Sequence, residues 1–170
     1  MVNNNENIKK VCSFYVSDWH LVTMLLPHIN EKINEKVKIA TILEYNTSDK
    51  MEKLLEKLNL KNKKKILNIG WNKKEINNNI IKEILEGENN SIEIIINGDM
   101  EYIEIANNLL EKYIEKANEI QNKKITIINC YNVNEYKDNI KQILDKHQKV
   151  LNTSGEKEKN EYITSINIVN

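Results

Sequence analysis

SIEIIINGDMEYIEIANNLLEKYIEKANEIQNKKITIINCY, Ser91 to Tyr131, decides the fold of this chain. Ser91 to Asn97 is a run dominated by isoleucine, too short for a helix, and Gly98 and Asp99 end it. Met100, Ile103, Ala106, Leu110, Tyr113, Ile114, Ala117 and Ile120 then recur at three- and four-residue spacing, which predicts a long amphipathic helix. Lys124 to Tyr131 returns to a β-rich run. Two nearly continuous apolar strands joined through a helix read as a βαβ unit, because parallel strands need a crossover and are covered on both faces.

The same alternation extends outward. Upstream, Lys10 to Val16 (KVCSFYV) reads as a strand that stops at Ser17 and Asp18, both good helix caps. A helix over Asp18 to Lys36 follows, with Leu21, Met24, Leu25, His28, Ile29 and Ile33 on one face and Pro27 expected to kink it. Val37 to Tyr45 reads as a second strand, and Met51, Leu54, Leu55 and Leu58 as the stripe of a short helix after Ser48. Lys65 to Trp71 (KILNIGW) reads as a third strand, followed by a helix through Ile76, Ile80, Ile81, Ile84 and Leu85 that Gly87 closes. Downstream, Val133 to His147 patterns a fifth helix, residues 152–160 a charged loop, and residues 162–169 an alternating edge strand or tail. The expected fold is a three-layer α/β sandwich, Rossmann-like, whose mainly parallel central sheet of five to six strands is flanked by helices. The globular domain is expected over residues 9–151, with 152–170 as loop and tail.

Composition narrows the function. Lys+Arg and Asp+Glu are both 25, so the formal net charge is zero, and every one of those cations is lysine. No global field attracts nucleic acid or an acidic membrane, and arginine, the side chain best suited to bidentate phosphate recognition, is absent. Cys12 and Cys130 lie in strand-like runs without zinc-site spacing and are expected to be buried and reduced. No stretch approaches the ~20 apolar residues of a membrane span, and a cytoplasmic location is expected.

In open parallel sheets ligands bind beyond the carboxyl ends of the strands, near the point where strand order reverses. That rule selects Tyr15, Asp18, Trp19 and His20 after the first strand, Glu44 and Tyr45 after the second, Trp71 after the third, Asp99 after the fourth and Tyr131 at the end of the fifth. Both tryptophans fall on this edge, as aromatic pocket walls or as caps on the core. No catalytic residue is assigned. Asp18 and His20 sit two apart at a helix start, Asp18 fits a first-turn anion, and the turn FYVSDWHLVT contains neither GxGxxG nor GxxxxGK[ST]. Glu44 and Asp99 are isolated acids, and no metal or cofactor is expected. His28 is expected to be a hydrogen-bonded core histidine, and His147 to interact when protonated with the carboxyl end of its helix.

Three segments resemble a known family. VCSFYVSDWHLVTMLLPHINEKINEKVKIATIL (Val11 to Leu43) is similar to the first strand, proline-containing helix and second strand of the MEDS domain, the methanogen/methylotroph DcmR-type sensory domain. INGDM (Ile96 to Met100) resembles its turn before the long helix, and CYNVNEYKDNIKQILDKHQKVL (Cys130 to Leu151) its closing pattern. Phe14, Tyr15, Asp18, Asp99, Tyr131 and His147 match family patterns. The resemblance implies a RecA/KaiC-like fold without a phosphate loop, acting as a non-enzymatic sensory module for a small organic ligand. The family's usual DNA-binding or kinase module has no counterpart in this sequence. Signalling is therefore expected to run through a protein partner, such as a kinase or regulator, or through self-association. A ligand-free interaction subunit is the alternative, and an enzyme using Asp18, His20, Glu44 and Asp99 the least favoured.

Overall fold

Strands that are apolar on both faces have to be covered on both sides, and here helices do so. The computed structural model describes residues 7–117, 120 and 122–163. The chain runs β1 (Ile8–Tyr15), α1 (Asp18–Asn34), β2 (Lys38–Leu43), α2 (Ser48–Lys57), α3 (Lys63–Asn68), α4 (Asn78–Leu85), β3 (Ser91–Asn97), α5 (Met100–Lys116), β4 (Lys124–Asn132), α6 (Ile140–Asp145), β5 (Lys149–Asn152) and β6 (Gly155–Glu158). The sheet has six strands in the order β2-β3-β4-β1-β5-β6. All neighbours are parallel except β5 and β6, which form an antiparallel hairpin.

After β1 the chain crosses to the far edge of the sheet through α1, then works back through β2, β3 and β4 and passes β1 to reach β5. A single hand of crossover requires helices on opposite faces for the two directions of travel. Side-chain alternation records this division. Ile92, Ile94, Ile96, Ile125 and Ile127 pack with α4, α5 and α6, whereas Val11, Tyr15, Ile95, Ile128 and Cys130 pack with α1, α2 and α3. Cys12 and Cys130 are free and buried, and burial pushes the Cys12 thiol up to about 12, so both are inert core residues.

Lysine does the capping work at one helix end. Lys38 Nζ donates to the carbonyls of Glu83, Ile84 and Glu86, and Lys123 Nζ to those of Leu85 and Gly87, neutralising the exposed acceptors at the carboxyl end of α4. Helix α1 continues through Pro27 as one element, capped by Ser17, whose side chain accepts from the His20 N–H.

Three expectations need correction. KILNIGW is not a strand: residues 63–68 are helical, and 69–71 continue as a turn and irregular chain that joins no strand of the sheet. Its apolar spacing from Ile66 to Ile69 is the helical period of three, Leu67 between them is exposed, and Gly70 at φ 92° ends the helix. The fifth helix is shorter than expected, because Asn132 Oδ1 accepts from the Asn134 N–H and turns the chain; only residues 140–145 are α-helical, preceded by a 3₁₀ turn over 137–139. The edge strand lies upstream of its expected position, at Gly155–Glu158 inside the expected loop. Residues 159–163 are helical, and the remainder of the expected strand, 164–169, lies outside the described residues.

Candidate functional site

The carboxyl-end crevice falls between β1 and β4, whose following segments leave toward opposite faces of the sheet. Hydrogen bonds tie this edge together: the Val133 N–H donates to Tyr15 O at 2.9 Å, Asn134 Nδ2 to Val16 O at 3.2 Å, and buried Asn97 Nδ2 to Tyr15 Oη at 2.8 Å. At the start of α1, His20 Nδ1 accepts from the Val16 N–H at 3.0 Å, and Asp18 pairs with Lys50 at 2.5 Å. Trp19 and Tyr45 stand 44% and 52% exposed.

Glu44 and Asp99 do come together, in a structural role. Glu44 Oε2 accepts from the Asp99 N–H at 2.8 Å, and Asp99 Oδ1 caps α5 by accepting from the Tyr102 N–H at 2.8 Å. Burial, with the Glu44 carboxylate nearby, pushes the Tyr102 hydroxyl up to about 12, and that hydroxyl donates to Lys74 O. The assembly closes over Gly98, where a Cβ would lie 2.5 Å from Glu44 Oε2 and 2.6 Å from Tyr102 Cδ1. Gly98→Ala is expected to displace Glu44 and lower stability by about 1–3 kcal/mol, read by urea denaturation. An unchanged midpoint would show that Glu44 can vacate its place without cost.

Trp71 and Tyr131 belong to different faces. Trp71 is buried against α2 and α3, with Nε1 donating to Ile66 O at 2.8 Å. Tyr131 packs on the α5/α6 face, edge-on to Tyr136 and His147. The nine residues selected from the sequence thus fall into Tyr15 at the end of β1, the α1 start with Asp18, Trp19 and His20, a Glu44–Asp99 clasp, an exposed Tyr45, a buried Trp71 and a separate Tyr131.

Tyr131 leads to a different site. A cavity of about 170 Å³ opens between α5 and α6 over the middle of β4, with Lys10, Glu104, Asn108, Gln142 and Lys146 at its polar wall. Beneath these, Asn107, Asn129 and His147 are buried in an otherwise apolar face. Their orientations are dictated by two backbone carbonyls. Ile103 O accepts from Asn107 Nδ2 at 2.7 Å, which turns Asn107 Oδ1 toward Asn129. The two amides then bond reciprocally, Asn107 Nδ2 to Asn129 Oδ1 at 2.8 Å and Asn129 Nδ2 to Asn107 Oδ1 at 3.2 Å. Ile143 O, 2.6 Å from His147 Nδ1, requires the proton there, so Nε2 is the acceptor for Asn129 Nδ2 at 3.0 Å. Burial holds the imidazole down to about 4. His147 is therefore neutral, contrary to the expected protonated partner of a helix end.

Every N–H of this trio is spent inside the protein. What remains is acceptor capacity on Asn107 Oδ1 and Asn129 Oδ1, and the hydroxyl of Tyr131, which has no hydrogen-bond partner among the described residues. Such a floor suits a neutral group that both donates and accepts. The sequence did carry the signal: Asn129 interrupts the inward isoleucines of KITIINCY, and Asn107 falls on the buried stripe of its helix, four residues after Ile103.

No protein-family model, curated protein or solved structure matches this chain.

Proposed function

We propose that this chain is a non-enzymatic regulatory domain that binds a small neutral organic molecule, of alcohol or amide character, between α5 and α6. The observation that carries the reading is the buried Asn107–Asn129–His147 network beneath the cavity. Burying three polar side chains is costly unless all are satisfied, and here satisfaction fixes one arrangement and leaves oxygen acceptors over. Further support comes from the groups an enzyme would use: both nitrogens of His147 are committed, Glu44 and Asp99 hold a turn and a cap, and Asp18 is paired with Lys50. The MEDS-like segment Cys130 to Leu151 runs from beside Asn129 through α6 into β5, so it spans one wall of the cavity.

A route to a partner follows from the same wall. Helix α6 contributes Gln142 and Ile143, the turn after it contributes His147, and the chain leads directly into the β5–β6 hairpin at the sheet edge. A ligand that prefers one position of α6 would bias the edge strand, by no more than its differential affinity for the two positions. Exposed Val16, Trp19 and Tyr45 at the strand carboxyl ends favour a protein partner there.

A thermal-shift and NMR screen of small alcohols, polyols and amides tests the site. At about 100 times its dissociation constant a ligand should stabilise the fold by roughly 2.7 kcal/mol. It should also move the side-chain amide signals of Asn107 and Asn129. Asn108→Trp, a change at the exposed wall, should abolish both effects. Hits that leave those amides unmoved, or that survive Asn108→Trp, would overturn the assignment, as would a screen without hits.

A further inference from the structure

Parallel pairing sets Leu43, Asn97, Cys130 and Ser13 side by side on β2, β3, β4 and β1, so the segments that follow them leave the sheet along one edge. Tyr45 emerges at one end of this row, and Val16 and Trp19 at the other, with 52%, 54% and 44% of their surfaces in water. Three strand spacings separate the two ends, about 14 Å, the reach of about four residues of extended chain. Large apolar side chains exposed at both ends of one edge mark a contact surface, and the groups between them say what it contacts.

Those groups are carboxylates. Glu44 and Asp99 meet at the ends of β2 and β3, each with one oxygen accepting from a backbone N–H and the other left over. Glu135 is exposed after β4, where Asn134 ties the same turn to Val16. Their charges converge on Tyr45: burial first, and then Glu44, Asp99 and Glu135, raise the pKa of its hydroxyl. No lysine forms an ion pair with any of the three among the described residues. Lys50 is taken by Asp18, Lys74 Nζ turns to the Thr41 carbonyl, and Lys73, whose N–H bonds to Asn46, pairs with none of them.

We propose that this edge docks a basic segment of a partner protein, an extended stretch with lysine or arginine between two apolar side chains about four residues apart. An acidic segment would meet like charge, and so would a second copy related by a two-fold axis, which sets the patch against itself. The proposal rests on the regulatory reading in taking the occupant to be a protein, and it adds the chemistry of that partner.

An NMR titration of the whole chain with three end-blocked peptides, Leu-Lys-Lys-Lys-Leu, Leu-Glu-Glu-Glu-Leu and Gly-Lys-Lys-Lys-Gly, tests the charge and the anchors separately. The first should shift the Trp19 indole N–H and the Tyr45 ring signals saturably, and the other two should do so far more weakly. Trp19→Ala, at an exposed anchor, should weaken binding about fivefold or more, and the exposed change Glu135→Gln about two- to fivefold. The side-chain amides of Asn107 and Asn129 should stay in place, so a chain that binds small ligands there but no basic peptide keeps its ligand site and loses this partner. The proposal is overturned if the lysine peptide leaves Trp19 and Tyr45 unmoved, if the glutamate peptide binds as well, or if neither variant weakens binding. It is also overturned if those signals broaden with protein concentration alone, which would assign the surface to a second copy of the chain.

Discussion

Acidification from pH 7 to about pH 4 is expected to remove roughly 3 kcal/mol of stability through His147 alone. Its pKa is held down from 6.5 to about 4 in the folded protein, with burial as the main cause. The unfolded chain therefore takes up its proton first. The stabilisation is complete above the unfolded value of 6.5 and is lost as pH falls toward the folded value of about 4. Protonating the folded state would turn Nε2 from acceptor into donor, facing the Asn129 amide at 3.0 Å; rotating that amide to suit would break its reciprocal bonds to Asn107. Urea unfolding across this range, for the native chain and His147→Gln, isolates the effect, since other titrating groups cancel in the difference. The native advantage over the variant should shrink steadily from pH 6.5 to 4. A pH-independent difference would mean that His147 is not the neutral acceptor its contacts require.

How much of this was legible before the structure depended on whether burial or pairing set the pattern. Strands β1 to β4 were readable, with the exception of KILNIGW, because inward-facing isoleucines on both faces leave long apolar runs with polar punctuation at Gly98–Asp99 and Ser17–Asp18. KILNIGW defeats the reading because so short an apolar-rich run suits either period, and only its backbone, helical through Asn68, decides between them. Strands β5 and β6 were missed because each is four residues long, and their pairing, not their apolarity, defines them. The carboxyl-end rule selected Glu44 and Asp99 but as isolated acids; that Glu44 meets the Asp99 N–H and Asp99 caps α5 follows only from the packing of the turn. Asn107 and Asn129 were visible as polar breaks in apolar stripes, though 22 positions apart, and only the packing of α5 on β4 makes them partners.

Trp71 carries the other large prediction, because its position in the sequence suggested a pocket wall and its surroundings make it a core residue. It is 3% exposed, packed among the buried side chains of α2 and α3, and its Nε1–H satisfies Ile66 O, a carbonyl in the last turns of α3. Its own carbonyl accepts from the Thr47 N–H at 2.8 Å, so the backbone at Trp71 also anchors the start of α2. Trp71→Ala is expected to cost about 3–5 kcal/mol, combining lost apolar burial, a cavity, and the loss of one of the two donors to Ile66 O. Trp71→Phe should fill most of the volume and cost roughly 1–3 kcal/mol, mainly for the missing donor. Chemical denaturation of both variants measures the costs, and fluorescence supplies a second reading. With Trp19→Phe removing the exposed indole, the remaining emission should be that of a buried tryptophan and should shift red only on unfolding. Binding at the α5/α6 cavity, across the sheet, should survive Trp71→Phe unchanged. A Trp71→Phe chain of native stability that lost ligand binding would return Trp71 to the role its sequence position suggested, and would place the binding site at the strand ends instead.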